Sequence, residues 1–381
     1  MKFALILFLL LGGLCFAGDW RAVADDMSLL ELVERSLECS GENRPALESA
    51  LSEAEPEILP GVVFMIANSP AVNLAGFDTN SLLAEIRFAY RTRELFPWVA
   101  EIGDDLFLHY VLPNQVTQEP LTYYREFFLD ELLPLVDTLK TATDAAIAVN
   151  YWCGERVKFQ QTQRQDQGVF QTLSSGFGRC EEMMIVHVSA LRSVGIPARQ
   201  AWTPYWATSD NNHAWTELYA DGAWHYTGAC EPRPTLDDAW FTNTSRRAAV
   251  IFSVAMGVPP RGTDIIYRER EKFAIINSFP HYVESPAVVN VFADGDSVNV
   301  YLCVFNFGAL RPIMRLTAEN GEPATLHIGR GEFFITAGDG ESFDWAKVEA
   351  DFGDTVNLTL EPRPMDEMGA QAFWLRYPVL E

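Results

Sequence analysis

Basic residues are scarce in this chain. Lys and Arg number 28 against 52 Asp and Glu, a formal charge of −24. A surface of that sign repels phosphate backbones, which excludes nucleic acid as a natural partner and favours solubility. No Cys-x-x-Cys occurs anywhere, and the six cysteines fit no zinc framework. A phosphate-binding Gly-rich loop and a Gly-x-Ser-x-Gly elbow are also missing. These absences remove zinc-site, phosphate-loop and serine-hydrolase readings, and no cofactor or metal is implied. Beyond the first residues, no apolar run is long enough to span a membrane.

The N-terminus, "MKFALILFLLLGGLCFAGDW", reads as an export signal. Lys2 supplies the positive start, Phe3 to Phe16 the apolar stretch, and Cys15 and Ala17 the small residues before a cut after Ala17. Lipid attachment at Cys15 ranks second, because Leu14 is large for the residue before such a cysteine. The expected product is exported, periplasmic or extracellular, with no transmembrane segment. It retains five cysteines, and an odd number in an exported chain leaves at least one thiol free or intermolecular. Pairings among Cys39, Cys153, Cys230 and Cys303 stay open at this stage.

The periodicities predict an α+β chain. After the signal (1–17), residues 18–150 read as a helical region. Leu29, Leu30, Val33 and Leu37 recur at helical spacing, as do Leu82, Leu83, Ile86, Ala89 and Tyr90. From 151 to 280 helix and strand mix. Met183 to Val194 is almost wholly apolar and should form a buried helix, stopped by Gly195 and Pro197. "HAWTELYADGAWHYTGAC" alternates about Asp221-Gly222, a strong hairpin signal. Residues 281–365 read as a β-sandwich to which no chemistry is assigned. Residues 366–381 are a tail of ambiguous pattern.

Chemistry concentrates in "GFGRCEEMMIVHVSALRSVGIPAR". Cys180 opens the apolar helix, where unpaired amides and the positive end of the helix dipole favour a thiolate and offer oxyanion donors. Arg179 adds a positive charge nearby, whereas Glu181 and Glu182 oppose a thiolate. His213 opens the strand "HAWTELYA", and a thiol with an imidazole is the minimum for cysteine nucleophilic catalysis.

Gly-x-Cys, then Gly-Ile-Pro-Ala-Arg, then His-Ala-Trp, in this order over about Gly176 to Phe241, resembles the transglutaminase-like superfamily. The likeness is greatest to its peptide N-glycanase-type branch and to bacterial exported members. The resemblance implies a papain-like α+β core with Cys180 as nucleophile and His213 as general base and acid. It also implies a thioester on Cys180 and a peptide or protein substrate, with a glycoconjugate as a further option. A non-catalytic binding or structural module on the same fold is the alternative.

That alternative comes from the third position. The family places an Asp four residues after the tryptophan of the return strand, and here that residue is Gly228. A two-residue turn at Asp221-Gly222 pairs Ala220 with Ala223 and sets His213 opposite Cys230. Glu231, the nearest carboxylate, then points to the other face unless the strand breaks before Pro232. Glu231 is kept as the candidate orienting residue. Gln160, Gln161 and Gln171 are candidate oxyanion donors. Trp152, His187 and His225 read as structural. Trp202, Tyr205 and Trp206 could form an aromatic wall.

Overall fold

The computed structural model describes residues 20–23, 27–162, 165–260, 262, 264–339 and 341–364. The export signal (1–17) and the tail (366–381) lie outside the described residues. The chain divides into two compact units, residues up to 86 and residues from 87 onward, with the division inside the helix Thr79–Leu95.

The first unit is helical, with helices Met27–Cys39, Arg44–Glu53 and Leu59–Asn68. The apolar stripe of the first of these buries Val33 and Leu37 and leaves Leu29 and Leu30 half-buried. Leu59–Asn68 is apolar almost all round and buries all but Pro60.

In the second unit, helices Arg125–Val136, α1 (Ala142–Arg156) and α2 (Cys180–Ser193) pack together. Helix α2 lies against a six-stranded sheet and buries every residue from Glu182 to Ser193, as its apolar run requires. Its C-terminus closes as a Schellman motif: Ile196 N–H bonds Leu191 O at 3.0 Å, and Gly195 N–H bonds Arg192 O at 3.1 Å. Gly195 holds the left-handed backbone this needs, with φ of 74°.

The sheet is antiparallel throughout. Its strands are β1 (Ala198–Thr203), β2 (His213–Ala220), β3 (Ala223–Thr227), β4 (Phe252–Met256), β5 (Ile265–Glu269) and β6 (Phe273–Asn277). The spatial order is β3-β2-β1-β4-β6-β5. The β2–β3 hairpin turns at Asp221 and Gly222, both with positive φ, and pairs Ala220 with Ala223. Register then runs back to Thr216 opposite Thr227 and stops. His213 is therefore not paired with Cys230. The return strand breaks at Gly228, where Glu231 N–H bonds Gly228 O at 3.3 Å and Cys230 takes a φ of 54°. A left-handed residue cannot continue a strand.

The C-terminal part is a β-sandwich. One sheet holds the strands 309–319, 297–306, 331–338, 342–350 and 363–364 in that order, and the other holds 324–328, 287–293 and 355–360. Their alternating residues, among them Val289, Val291, Val300, Leu302, Phe333 and Ile335, meet in one apolar core. That core continues into Phe252 of β4 and the half-buried Trp202 and Tyr205. Trp202 and Tyr205 therefore support the sandwich and do not wall a substrate cleft.

Candidate active site

Cys180 sits where the sequence places it, at the first residue of α2. The start of this helix is fixed by Glu182, fully buried at its third residue. Glu182 accepts from Arg179 N–H at 2.8 Å, Gln167 N–H at 3.0 Å and Thr162 Oγ1 at 2.7 Å. Reaching back to the N-cap amide is half of a capping box. At the first helical position, the Cys180 N–H has no acceptor within the helix.

The environment of the thiol differs from the low-pKa expectation. Burial is the largest influence, and the Glu181 carboxylate is next: the Cys180 thiol donates to its Oε2 at 3.1 Å. Together they push the thiol up to about 12, although the Ala214 backbone N–H bonds the sulfur and works the other way. Arg179 does not offset this, because it is committed to Asp166 at 2.6 Å. Desolvation and a like charge outweigh the helix dipole, whose effect is a fraction of that size at a helix terminus.

His213 starts β2 and is held in an aromatic box. Its ring stacks on Trp215 with centroids 5.6 Å apart, meets Trp240 at 4.8 Å and Phe241 at 5.0 Å, and has Trp206 at 6.3 Å. Burial in this box lowers the imidazole to about 4, and its Nε2 is buried without a hydrogen-bond partner. The resting pair is thus a neutral thiol and a neutral imidazole.

Below His213, Trp215 Nε1 donates to Tyr282 OH at 2.7 Å. Tyr282 OH and Ser278 Oγ both donate to Glu217 Oε1, at 2.8 and 2.7 Å. Glu217 is in turn bonded by Arg199 Nε at 2.7 Å, with Asp264 beyond at 3.0 Å. Arg199 closes the Gly-Ile-Pro-Ala-Arg stretch, so that motif anchors the floor under the histidine.

The loop before His213 is tied down from the sandwich. The buried Asn306 donates to Trp206 O at 2.9 Å and Ser209 O at 2.8 Å, and accepts from Asn211 N–H at 3.2 Å. The sandwich thus supports the site without supplying chemistry to it.

Cys180, His213 and Glu231 line one cavity of about 600 Å³, together with Gln161, Glu181 and Trp240. An adjoining cavity of about 340 Å³ shares Phe159, Met183, Glu231 and Trp240 with it. Phe159 and Trp240 are both more than half exposed, forming aromatic walls open to solvent. A larger cavity, about 1040 Å³, lies between the sandwich and Arg246-Arg247 and is lined by neither cysteine nor histidine.

Glu231 reaches the cavity because the strand breaks. Its Oε2 accepts from Trp240 Nε1 at 2.9 Å. It also lies 2.9 Å from where a Cβ on Gly228 would stand. Burial raises this carboxyl, and the Trp240 bond and Arg233 partly offset the shift.

The other candidates fall elsewhere. Gln161 faces the cavity; Gln160 and Gln171 are exposed and do not line it. Trp152 is a core residue against Phe127 and Phe128, capped by Arg156. His187 is fully buried, bonded to Thr216 at 3.1 Å and lowered to about 3 by desolvation. His225 pairs with Asp237 at 2.6 Å, which raises it. Trp240 was not legible beforehand: it is distant in sequence and carries no local signal. Glu181 was visible beside the cysteine, but its hydrogen bond to the thiol was not. No group of three His, Cys, Asp or Glu side chains among the described residues could hold a metal, and no described helix is long and apolar enough to cross a membrane.

Among curated proteins no sequence matches this chain. One similar solved structure is a candidate cysteine protease from Cytophaga hutchinsonii, 16% identical over 49% of this chain and 68% of that one, with a TM-score of 0.29. Residues 133–228 match the transglutaminase-like superfamily. The matched stretch contains Cys180 and His213 and ends on Gly228, three residues before Glu231. Residues 133–228, which carry α1, α2 and β1 to β3, are transglutaminase-like.

Proposed function

We propose that this chain is an exported cysteine-dependent amide hydrolase or acyltransferase acting on peptide or protein amides. The observation supporting it is the shared cavity of about 600 Å³ that holds Cys180, His213 and Glu231. His213 takes the Cys180 proton as the sulfur attacks the amide carbonyl, because neither group is charged at rest. The oxyanion forms beside the Cys180 N–H and the Gln161 side chain, both at the cavity. His213 then protonates the leaving amine, leaving a Cys180 thioester that water or a second amine resolves. Glu231 orients and stabilises the imidazolium during these steps. The exposed rings of Phe159 and Trp240 suit an apolar side chain, or the face of a sugar if the substrate is a glycoconjugate.

The raised thiol, the partnerless His213 Nε2 and Gly228 favour a second reading, a non-catalytic binding module on the same fold. Two measurements separate them: single-turnover acylation of Cys180 by an activated peptide ester, and hydrolysis of a denatured protein substrate. The enzyme reading expects a mass adduct on the wild type that is absent from Cys180→Ser. No adduct, with unchanged peptide binding in Cys180→Ser, would establish the binding module instead.

A further inference from the structure

The turn that carries Glu231 is held from behind by α1. Asn150 Nδ2 donates to Gly228 O at 2.9 Å and to Thr227 Oγ1 at 3.1 Å. One helical turn later the two backbones close on each other. A Cβ on Gly154 would meet Pro232 Cδ at 2.6 Å and the Cys230 carbonyl oxygen at 2.9 Å, so only glycine permits this approach.

Cys153 directly precedes Gly154 and is wholly buried. Cys230 is 4% exposed, and its sulfur lies 3.3 Å from the Met183 carbonyl oxygen. Both thiols are free in the structure, and burial raises the Cys230 thiol, with the neighbouring Cys153 side chain raising it further. The remaining thiols are elsewhere: Cys39 is exposed in the first unit, and Cys303 lies in the sandwich beside Thr336. Of the pairings the sequence left open, the structure brings this one together.

We propose that Cys153 and Cys230 form a disulfide that locks the Gly228–Pro232 turn to α1. Two S–H bonds are lost and one S–S bond forms. The two electrons and two protons pass to a disulfide donor, oxidised glutathione or a dithiol–disulfide oxidoreductase, which leaves as two thiols after a mixed-disulfide intermediate. Both sulfurs are buried, so exchange takes place while the chain folds and is slow once it has folded. The crosslink closes a long loop, the case in which a crosslink restricts the unfolded chain most. Its effect on Glu231 rests on the proposed activity and its persistence in the cell on the proposed export, whereas its formation in an oxidising buffer rests on neither.

The test is to refold the full chain carrying Cys180→Ser in a glutathione redox buffer and to map the non-reduced protein by mass spectrometry. A Cys153 peptide linked to a Cys230 peptide is expected. Reductant should then lower the melting temperature by on the order of 10 °C. The additional pair Cys153→Ala and Cys230→Ala should abolish that response to reductant. Full alkylation of both cysteines after unfolding without reductant would overturn the proposal, as would a link from either one to Cys39 or Cys303. Because Cys180 is absent from the tested protein, failure here leaves the proposed function standing, and the reverse also holds.

Discussion

The Oε2 oxygen of Glu231 stands 2.9 Å from the point a Cβ on Gly228 would occupy. The missing side chain and the displaced carboxylate are therefore one feature. The strand ends at Thr227, a turn bonded from Glu231 N–H to Gly228 O follows, and the glutamate folds back over the empty position. A longer side chain three residues later fills the space left by a shorter one.

This arrangement predicts a reciprocal pair of variants. Gly228→Asp alone should crowd Glu231 and add a like charge, costing about 1–3 kcal/mol of stability. Glu231→Ala alone should lower kcat/KM on the order of 100-fold, the scale of an acid–base contribution. Combining the two should recover most of both losses. Denaturant melts and steady-state kinetics on the four proteins read this out; additive losses would show that the two positions do not share one space.

Burial does most to hold the Cys180 thiol in its neutral form, and Glu181 adds to it. Replacing Glu181 by Gln removes the like charge, so the Cys180 pKa should fall from about 12 by roughly one unit or more. The pH dependence of iodoacetamide alkylation, corrected with Cys180→Ser, measures this. An unmoved profile would leave burial as the sole cause.

Two histidines predict acid sensitivity. His213 and His187 are lowered to about 4 and about 3 by burial, from an ordinary 6.5. The unfolded chain therefore binds more protons than the folded one as pH drops below about 6.5. Stability from this source is complete above that pH and is lost as pH falls toward the folded values. The loss amounts to about 3 kcal/mol for His213. About 2 kcal/mol of this falls between pH 7.5 and pH 5, because pH 5 is still above the folded value; urea melts at the two pH values should show it, and His213→Gln should remove part of the slope.

The buried ion pair of Arg199 and Glu217 is a further stability prediction. Arg199→Met leaves Glu217 buried with only the hydroxyls of Tyr282 and Ser278 as partners, which should cost about 3–5 kcal/mol. Adding Glu217→Leu should restore much of it, since the stranded charge is then gone. The Trp215 indole is bonded to Tyr282, so the single variant should also shift tryptophan emission.

Local signals in the sequence determined a good deal. The apolar run after Cys180, the Gly195-Ile-Pro stop and the Asp221-Gly222 hairpin each depend on neighbours within a few residues, and each appears with the expected geometry. The ordered motifs likewise placed Cys180 and His213 at the starts of a helix and a strand, and these elements bring both to one cavity. Desolvation and contacts between distant segments were decided only by the tertiary structure. The helix dipole at Cys180 is a local property, but the burial that overrides it comes from the whole fold. Trp240 reaches the histidine, Asn306 the loop before it and Tyr282 the Trp215 beneath it, all from remote segments that leave no periodicity to read. Glu231 lay on the wrong face by strand alternation. It enters the cavity because Cys230, in close approach to α1, adopts a left-handed backbone that no residue type there announces.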